Sequence, residues 1–183
     1  MLGAIIGDII GSRWEFCPTN DYHFEWISAQ NDYTDDTLCT VAVADAIVHQ
    51  SDDYGSYIHC WCRSHPCPMG GYGGRFAQWV RSNRPQPYGS FGNGSAMRVS
   101  AIGWAFDETD DVLREAEKSA ACSHNHPEGI RGAQAVALAI RDARSLEKNV
   151  QRSHHAAGPA PAGAVPGHPA VQRGARNLPA KSG

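Results

Sequence analysis

Residues 34–50, Thr34-Asp35-Asp36-Thr37 followed by LCTVAVADAIVHQ, decide the fold. A Thr or Asp side chain at an N-cap, acids in the first turn and then a run of helix-compatible residues mark a helix start. That helix is apolar almost all round rather than along one stripe, which places it at the centre of a bundle and not on its surface.

The segments on either side agree with an all-α chain. Upstream, GAIIGDIIG sets Gly3, Gly7 and Gly11 four apart among four isoleucines, so the glycines share one helical face that another backbone can approach closely. The stretch is too short to span a bilayer, and Asp8 interrupts it. Downstream, a helix is expected over about 53–64 and a short one in RFAQWVRSN, with PMGGYGGR as a loop between them. YGSFGNGS is a second Gly-rich loop, leading into a buried helix in AMRVSAIGWAF. Thr109 is expected to cap DDVLREAEKSAAC, and Pro127 to sit near the start of EGIRGAQAVALAIRDARS. No segment alternates with the period of a strand, and no internal repeat is present.

The 183 residues allow one domain, and 42% hydrophobic content suffices for a core. The net charge of −3 conceals an asymmetry. Residues 151–183 hold Arg152, Arg173, Arg176 and Lys181 and no acid; removing these four from the 16 basic residues leaves 12 against 19 acidic ones, a net of −7 for residues 1–150. An acidic body binds a phosphate backbone poorly, so nucleic acid is not an expected partner, and an anionic ligand would call for an intervening cation. No membrane span is expected, and the first residues lack the basic region of a signal peptide, so a cytoplasmic location is expected. Composition shifts near residue 148. Ala, Gly and Pro make up 18 of the last 33 residues, too few large apolar groups to offset ordering entropy. Residues 1–148 are therefore expected to form the helical domain and 149–183 a disordered tail. Cys60, Cys62 and Cys67 lie near His59 and His65, but their helical directions diverge, and reduced thiols rather than a zinc site are expected.

Four constellations could carry chemistry. Thr34, Asp35 and Asp36 offer hard oxygen ligands to Mg²⁺, Mn²⁺ or Ca²⁺, or they simply cap a helix. Gly89-Ser90-Phe91-Gly92-Asn93-Gly94-Ser95 opens a helix and could bring backbone N–H groups to an anion, or be an ordinary loop; it lacks the Lys of a P-loop. His124-Asn125-His126-Pro127-Glu128 could bind phosphate, metal or substrate, or be a helix entry with His126 or Asn125 as cap. Glu15, between Trp14 and Phe16, could exchange protons with a substrate, or be a surface carboxylate.

Taken in order, GAIIGDIIGSRWEF (3–16), TDDT (34–37), GGYGGRFAQWV (70–80), YGSFGNGSAMRVSAIGWAF (88–106) and HNHPEGIRGAQAVALAI (124–140) closely resemble the ADP-ribosylglycohydrolase family, the enzymes related to dinitrogenase reductase-activating glycohydrolase. The resemblance covers about residues 1–146. It implies an all-α orthogonal helical bundle and a binuclear Mg²⁺ or Mn²⁺ centre in a cleft. The implied reaction is hydrolysis of the glycosidic bond between ADP-ribose and a protein side chain or small molecule. By motif, it implies that Thr34, Asp35 and Asp36 are metal ligands, with Asp35 and Asp36 also catalytic. Glu15 matches a mobile glutamate that acts as acid/base or gate. Gly89, Ser90, Phe91 and Asn93 match the loop that holds diphosphate and ribose, and His124 a histidine lining the ADP-ribose site. The family continues into a C-terminal Asp-Thr-Asp-type motif. No acid follows Glu147 here, so the resemblance implies a C-terminally truncated fold, an incomplete metal centre and apolar surface left open over the 127–146 helix. A non-catalytic remnant that binds ADP-ribose or metal, and a metal-dependent phosphoester hydrolase, remain as alternatives.

Overall fold

Helix α2 (Asp35–Val48) starts at the acidic turn, and its cap is Thr34: the backbone there is extended, and the hydroxyl accepts from the Asp36 N–H at 3.2 Å. The structure, a computed structural model, describes the backbone of residues 1–156 and the side chains of residues 1–149. Around α2 the chain forms α1 (Leu2–Gly11), α3 (Tyr54–Ser64), α4 (Gly74–Arg81), α5 (Ser100–Ala105), α6 (Thr109–Ala121) and α7 (Pro127–Ala156), with 3-10 turns at Ser12–Trp14 and Asn93–Ser95. No strand occurs among the described residues. None of the described helices is long and apolar enough to cross a membrane.

As its all-round apolar character predicts, α2 is the centre. Leu38, Cys39, Thr40, Ala42, Val43 and Ala46 are buried, with α1, α3 and α5 packed around it. Tyr54 and Ile58 of α3, Phe76 and Trp79 of α4, Ile102 of α5, and Val112 and Ala116 of α6 complete one core with Ala133 and Ala137 of α7. Each large side chain removed from water in this way contributes about 1.5–3 kcal/mol. Cys62 is buried beside Cys39, the sulfurs 3.8 Å apart, whereas Cys60 and Cys67 are exposed; the three thiols do not face one another.

The contact between α5 and α7 depends on Gly103. A Cβ there would stand 2.6 Å from the Ala137 carbonyl oxygen and 2.8 Å from the Ile140 side chain. Arg144 of α7 ties down the end of α5, donating to the carbonyls of Trp104 at 2.5 Å and Phe106 at 3.1 Å and pairing with Asp107. Buried Glu115 accepts from the Tyr54 hydroxyl at 2.9 Å and from Lys118 at 3.1 Å, joining α6 to α3.

Four expectations need correction. The helix expected from Ala96 begins at Ser100. Residues 93–99 instead wind tightly, with Ala96 and Met97 N–H both reaching the Asn93 carbonyl, at 2.8 and 3.0 Å. Ser95 and Arg98, three apart, are both fully buried, and 3-10-like winding puts such a pair on one side. Glu108, not Thr109, holds the cap position of α6, because Thr109 has already turned into the helix and accepts from Arg141 at 3.2 Å. Among the described residues the glycine face of α1 meets no other backbone: a Cβ at Gly3, Gly7 or Gly11 would find nothing within 4 Å. No residue of α1 is buried, and Leu2 is 71% exposed. Finally, α7 runs through the boundary expected at 148 as far as Ala156, while residues 157–183 of the expected tail lie outside the described residues.

Candidate active site

The loop between α1 and α2 returns so that Asp8 of α1 meets the start of α2. Asp8, on α1, accepts from the Thr34 N–H at 3.0 Å, the Thr34 hydroxyl at 2.6 Å and the Thr37 hydroxyl at 2.5 Å. The intervening loop is fastened at its base. Asn31 donates to the carbonyls of Ile9 and Ile10 at 2.8 and 3.1 Å, and the Ser12 hydroxyl accepts from the Asp32 N–H at 3.2 Å. Glu15 follows the 3-10 turn and lies against Gly70, whose left-handed backbone (φ 76°) and missing side chain leave room for the carboxylate: a Cβ there would be 3.2 Å from the Glu15 carboxyl carbon.

These elements and the 70–76 and 88–97 segments enclose an open cleft of about 950 Å³. Its lining includes an acidic group, Asp8, Glu15, Thr34, Asp35 and Asp36, and a second group, Arg75, Tyr88, Ser90, Asn93 and His124. The expected Glu15, Thr34, Asp35, Asp36, Ser90, Asn93 and His124 thus share one cleft. Gly89 and Phe91 stand outside its lining. Gly89 makes a turn (φ 65°) and donates its N–H to the Asn125 side chain at 2.7 Å. Phe91 is 72% exposed and packs on His126, ring centroids 5.3 Å apart. His126 also caps α7, accepting from the Glu128 N–H at 3.1 Å.

The two groups differ electrostatically. Burial, then the charges of Asp36, Glu15 and Asp8, push the Asp35 carboxyl up to about 6; burial, then Asp8 and Glu15, raise that of Asp36. No Lys, Arg or His forms an ion pair with Asp8, Glu15, Asp35 or Asp36 among the described residues. In the second group, burial, then Arg98 and Arg75, lowers His124 to about 4, so its ring is neutral. Arg75 donates to the Tyr88 carbonyl and lies over that tyrosine's ring, 4.8 Å from its centroid.

The acidic group has the donor chemistry of a divalent-cation site: hard oxygens, with no positive charge to balance them. It is not a closed ligand shell, since no three His, Cys, Asp or Glu among the described residues group as metal ligands. The donors present fit one wall of such a site. Sequence reasoning missed Asp8, Arg75 and Tyr88. Asp8 did carry a signal: an acid at the middle of an isoleucine-rich helix needs polar partners.

The sequence profile described as ADP-ribosylglycohydrolase matches residues 1–178. The chain belongs to the ADP-ribosylglycohydrolase family. Its seven described helices form an all-α fold, as expected for an ADP-ribosylglycohydrolase. Among similar proteins, ADP-ribosylhydrolase ARH3 of Mus musculus is 28% identical over 172 residues, covering 76% of this chain and 46% of the relative. The ARH3 proteins of Xenopus tropicalis and Homo sapiens are each 27% identical, covering 76% of this chain and 48% and 47% of their own lengths. The chain spans about half the length of the curated relatives it matches. The family match extends beyond residue 148, where the composition changes.

Proposed function

We propose that this chain forms the ADP-ribose-binding part of a metal-dependent hydrolase that cleaves the glycosidic bond between ADP-ribose and a protein side chain or small molecule. The observation that carries the reading is a single cleft lined both by four carboxylates with no cationic partner among the described residues and by Arg75, His124 and a Gly-rich turn. Family membership and the names of the ARH3 relatives support the substrate class.

Each group has its own task. The Ser90–Gly94 turn, with small residues and the Ser90 hydroxyl accepting from the Gly92 N–H at 3.2 Å, can approach a diphosphate closely. Arg75 supplies positive charge beside it. Thr34, Asp35 and Asp36 would hold Mg²⁺ or Mn²⁺, which supplies Lewis acidity and a polarised water when bound. Asp8 orients that wall by holding Thr34 and Thr37. Glycosidic cleavage passes through an oxocarbenium-like state, and the carboxylates around the cleft stabilise positive charge developing at the anomeric carbon. Glu15, which lines the cleft, would exchange a proton with the leaving group or the attacking water. Because Thr34, Asp35 and Asp36 make only one wall, we expect weak cation binding and slow turnover.

Calorimetric titration of the chain with ADP-ribose, with and without Mg²⁺ or Mn²⁺, tests the binding reading, and chromatography of products from an ADP-ribosylated peptide tests the chemistry. Cation-enhanced ADP-ribose binding that is lost in Asp35→Asn with Asp36→Asn is expected, as is free ADP-ribose among any products. Release of AMP or phosphate would move the reading to phosphoester hydrolysis. Binding without product would leave a non-catalytic ADP-ribose module, and no binding in either condition would end the proposal.

A further inference from the structure

Arg98 is fully buried, and no carboxylate pairs with it among the described residues. Its Nη2 donates to the Ser119 carbonyl at 2.5 Å and to the Ser123 hydroxyl oxygen at 3.1 Å, with Cys122 Sγ at 3.6 Å; Nε and Nη1 have no partner among the described residues. A core cation without a counter-ion is costly and calls for a reason.

The reason lies one bond further on. Ser123 Oγ is 2.9 Å from His124 Nδ1. A hydroxyl has one proton and two lone pairs. One lone pair receives the Arg98 N–H; the Cys122 S–H has its nearer acceptor in the Ser119 carbonyl, at 3.3 Å against 3.8 Å to Ser123 Oγ. The proton of this buried hydroxyl finds its acceptor among the described residues in Nδ1. That bond leaves Nδ1 bare and puts the ring proton on Nε2. Nε2 lies beside Gly94 in the cleft wall, so close that a Cβ at Gly94 would be 2.8 Å from it. Tyr88 and Phe76, with ring centroids at 5.6 and 6.4 Å, flank the imidazole.

We infer that Arg98 and Ser123 are positioning residues that lock His124 as a neutral Nε2–H donor facing the oxygens of an anionic ligand in the cleft. The identity of that ligand rests on the ADP-ribose reading; the tautomer does not. The charges bearing on the ring are Arg98 and Arg75, both of which oppose its protonation, as does burial. A fixed donor accepts phosphate or ribose oxygen and rejects a donor group, which a freely switching imidazole would not do.

The test is ring-nitrogen NMR on the isotope-labelled full chain, with His124 assigned through the signal lost in His124→Gln. Expected is a protonated Nε2 and bare Nδ1 from about pH 5.5 to 8. Ser123→Ala should give mixed tautomers and bind ADP-ribose about tenfold more weakly, the loss expected for one hydrogen bond's positioning. Ser123→Thr, which keeps the hydroxyl, should restore both. A protonated Nδ1 or an imidazolium in the native chain at neutral pH would overturn the inference, as would a tautomer unaltered by Ser123→Ala. An Nε2–H tautomer in a chain that fails to bind ADP-ribose would support the lock and refute the ligand assignment.

Discussion

Replacing Asp35 by Asn should stabilise the cation-free protein, although Asp35 is the residue that a metal site would need. In the fold its carboxyl is raised from 3.8 to about 6 by burial and by Asp36, Glu15 and Asp8. Taken whole, that displacement corresponds to about 3 kcal/mol of destabilisation of the charged form. Partial exposure at the cleft and ionic screening reduce it, and Asn forfeits the favourable interaction of an acid with the first turn of α2. A net gain of about 1 kcal/mol at pH 7 remains by these magnitudes. The sign follows from linkage: below the unfolded value both states hold the proton, and as pH rises toward 6 the unfolded chain releases it first, so stability falls. The gain from Asp35→Asn should therefore vanish below about pH 4 and reach its plateau above about pH 6. His124 slopes the opposite way, because its lowered value of about 4 makes stability rise with pH up to its ordinary 6.5. The difference between variant and native, not the native profile, isolates Asp35. Urea unfolding followed by circular dichroism, in chelator at about 0.1 M salt, measures it. Adding Mg²⁺ or Mn²⁺ should stabilise the native chain and not the variant. A variant less stable than native at pH 7, or a gain that persists unchanged at pH 4, would refute the electrostatic reasoning.

Asp8→Ala removes the acceptor of three hydrogen bonds and should cost about 2–4 kcal/mol in urea unfolding. Asp8→Asn should cost about 1 kcal/mol, since its amide oxygen can take the Thr34 N–H and Thr37 hydroxyl while its NH₂ donates to Thr34. Gly103→Ala should destabilise by about 2–3 kcal/mol, because its methyl would meet the Ala137 carbonyl and Ile140 and force α5 off α7; a thermal melt unchanged from native would contradict that packing. Arg75→Ala should weaken ADP-ribose binding about fivefold at low salt and less at high salt, and titration at two ionic strengths checks it.

The legible parts of this protein were those that depend on contacts within a few residues. Thr34-Asp35-Asp36 announced the start of α2 because a cap bond spans two residues, and the apolar circumference of LCTVAVADAIV placed that helix at the centre because an element without a polar face has nowhere else to go. The same local logic failed at 93–99, where the burial of Ser95 and Arg98 overrode helical propensity. It also failed at the glycine face of α1, where spacing reveals a smooth surface without revealing what comes to it.

What only the tertiary structure decided is which distant groups meet around the cleft. Asp8 meets Thr34 across 26 residues, and Glu15 meets Gly70 across a loop reversal. Ser123 and His124 are neighbours in the chain, but nothing local foretells that Arg98, 25 residues from Ser123, fixes the direction of the hydrogen bond between them. Sequence by itself determined the residue types, the start of α2 and the family. The partner of a buried polar group is chosen by packing, because the group must be satisfied by whatever the core brings within about 3 Å, and chain separation has no bearing on that distance.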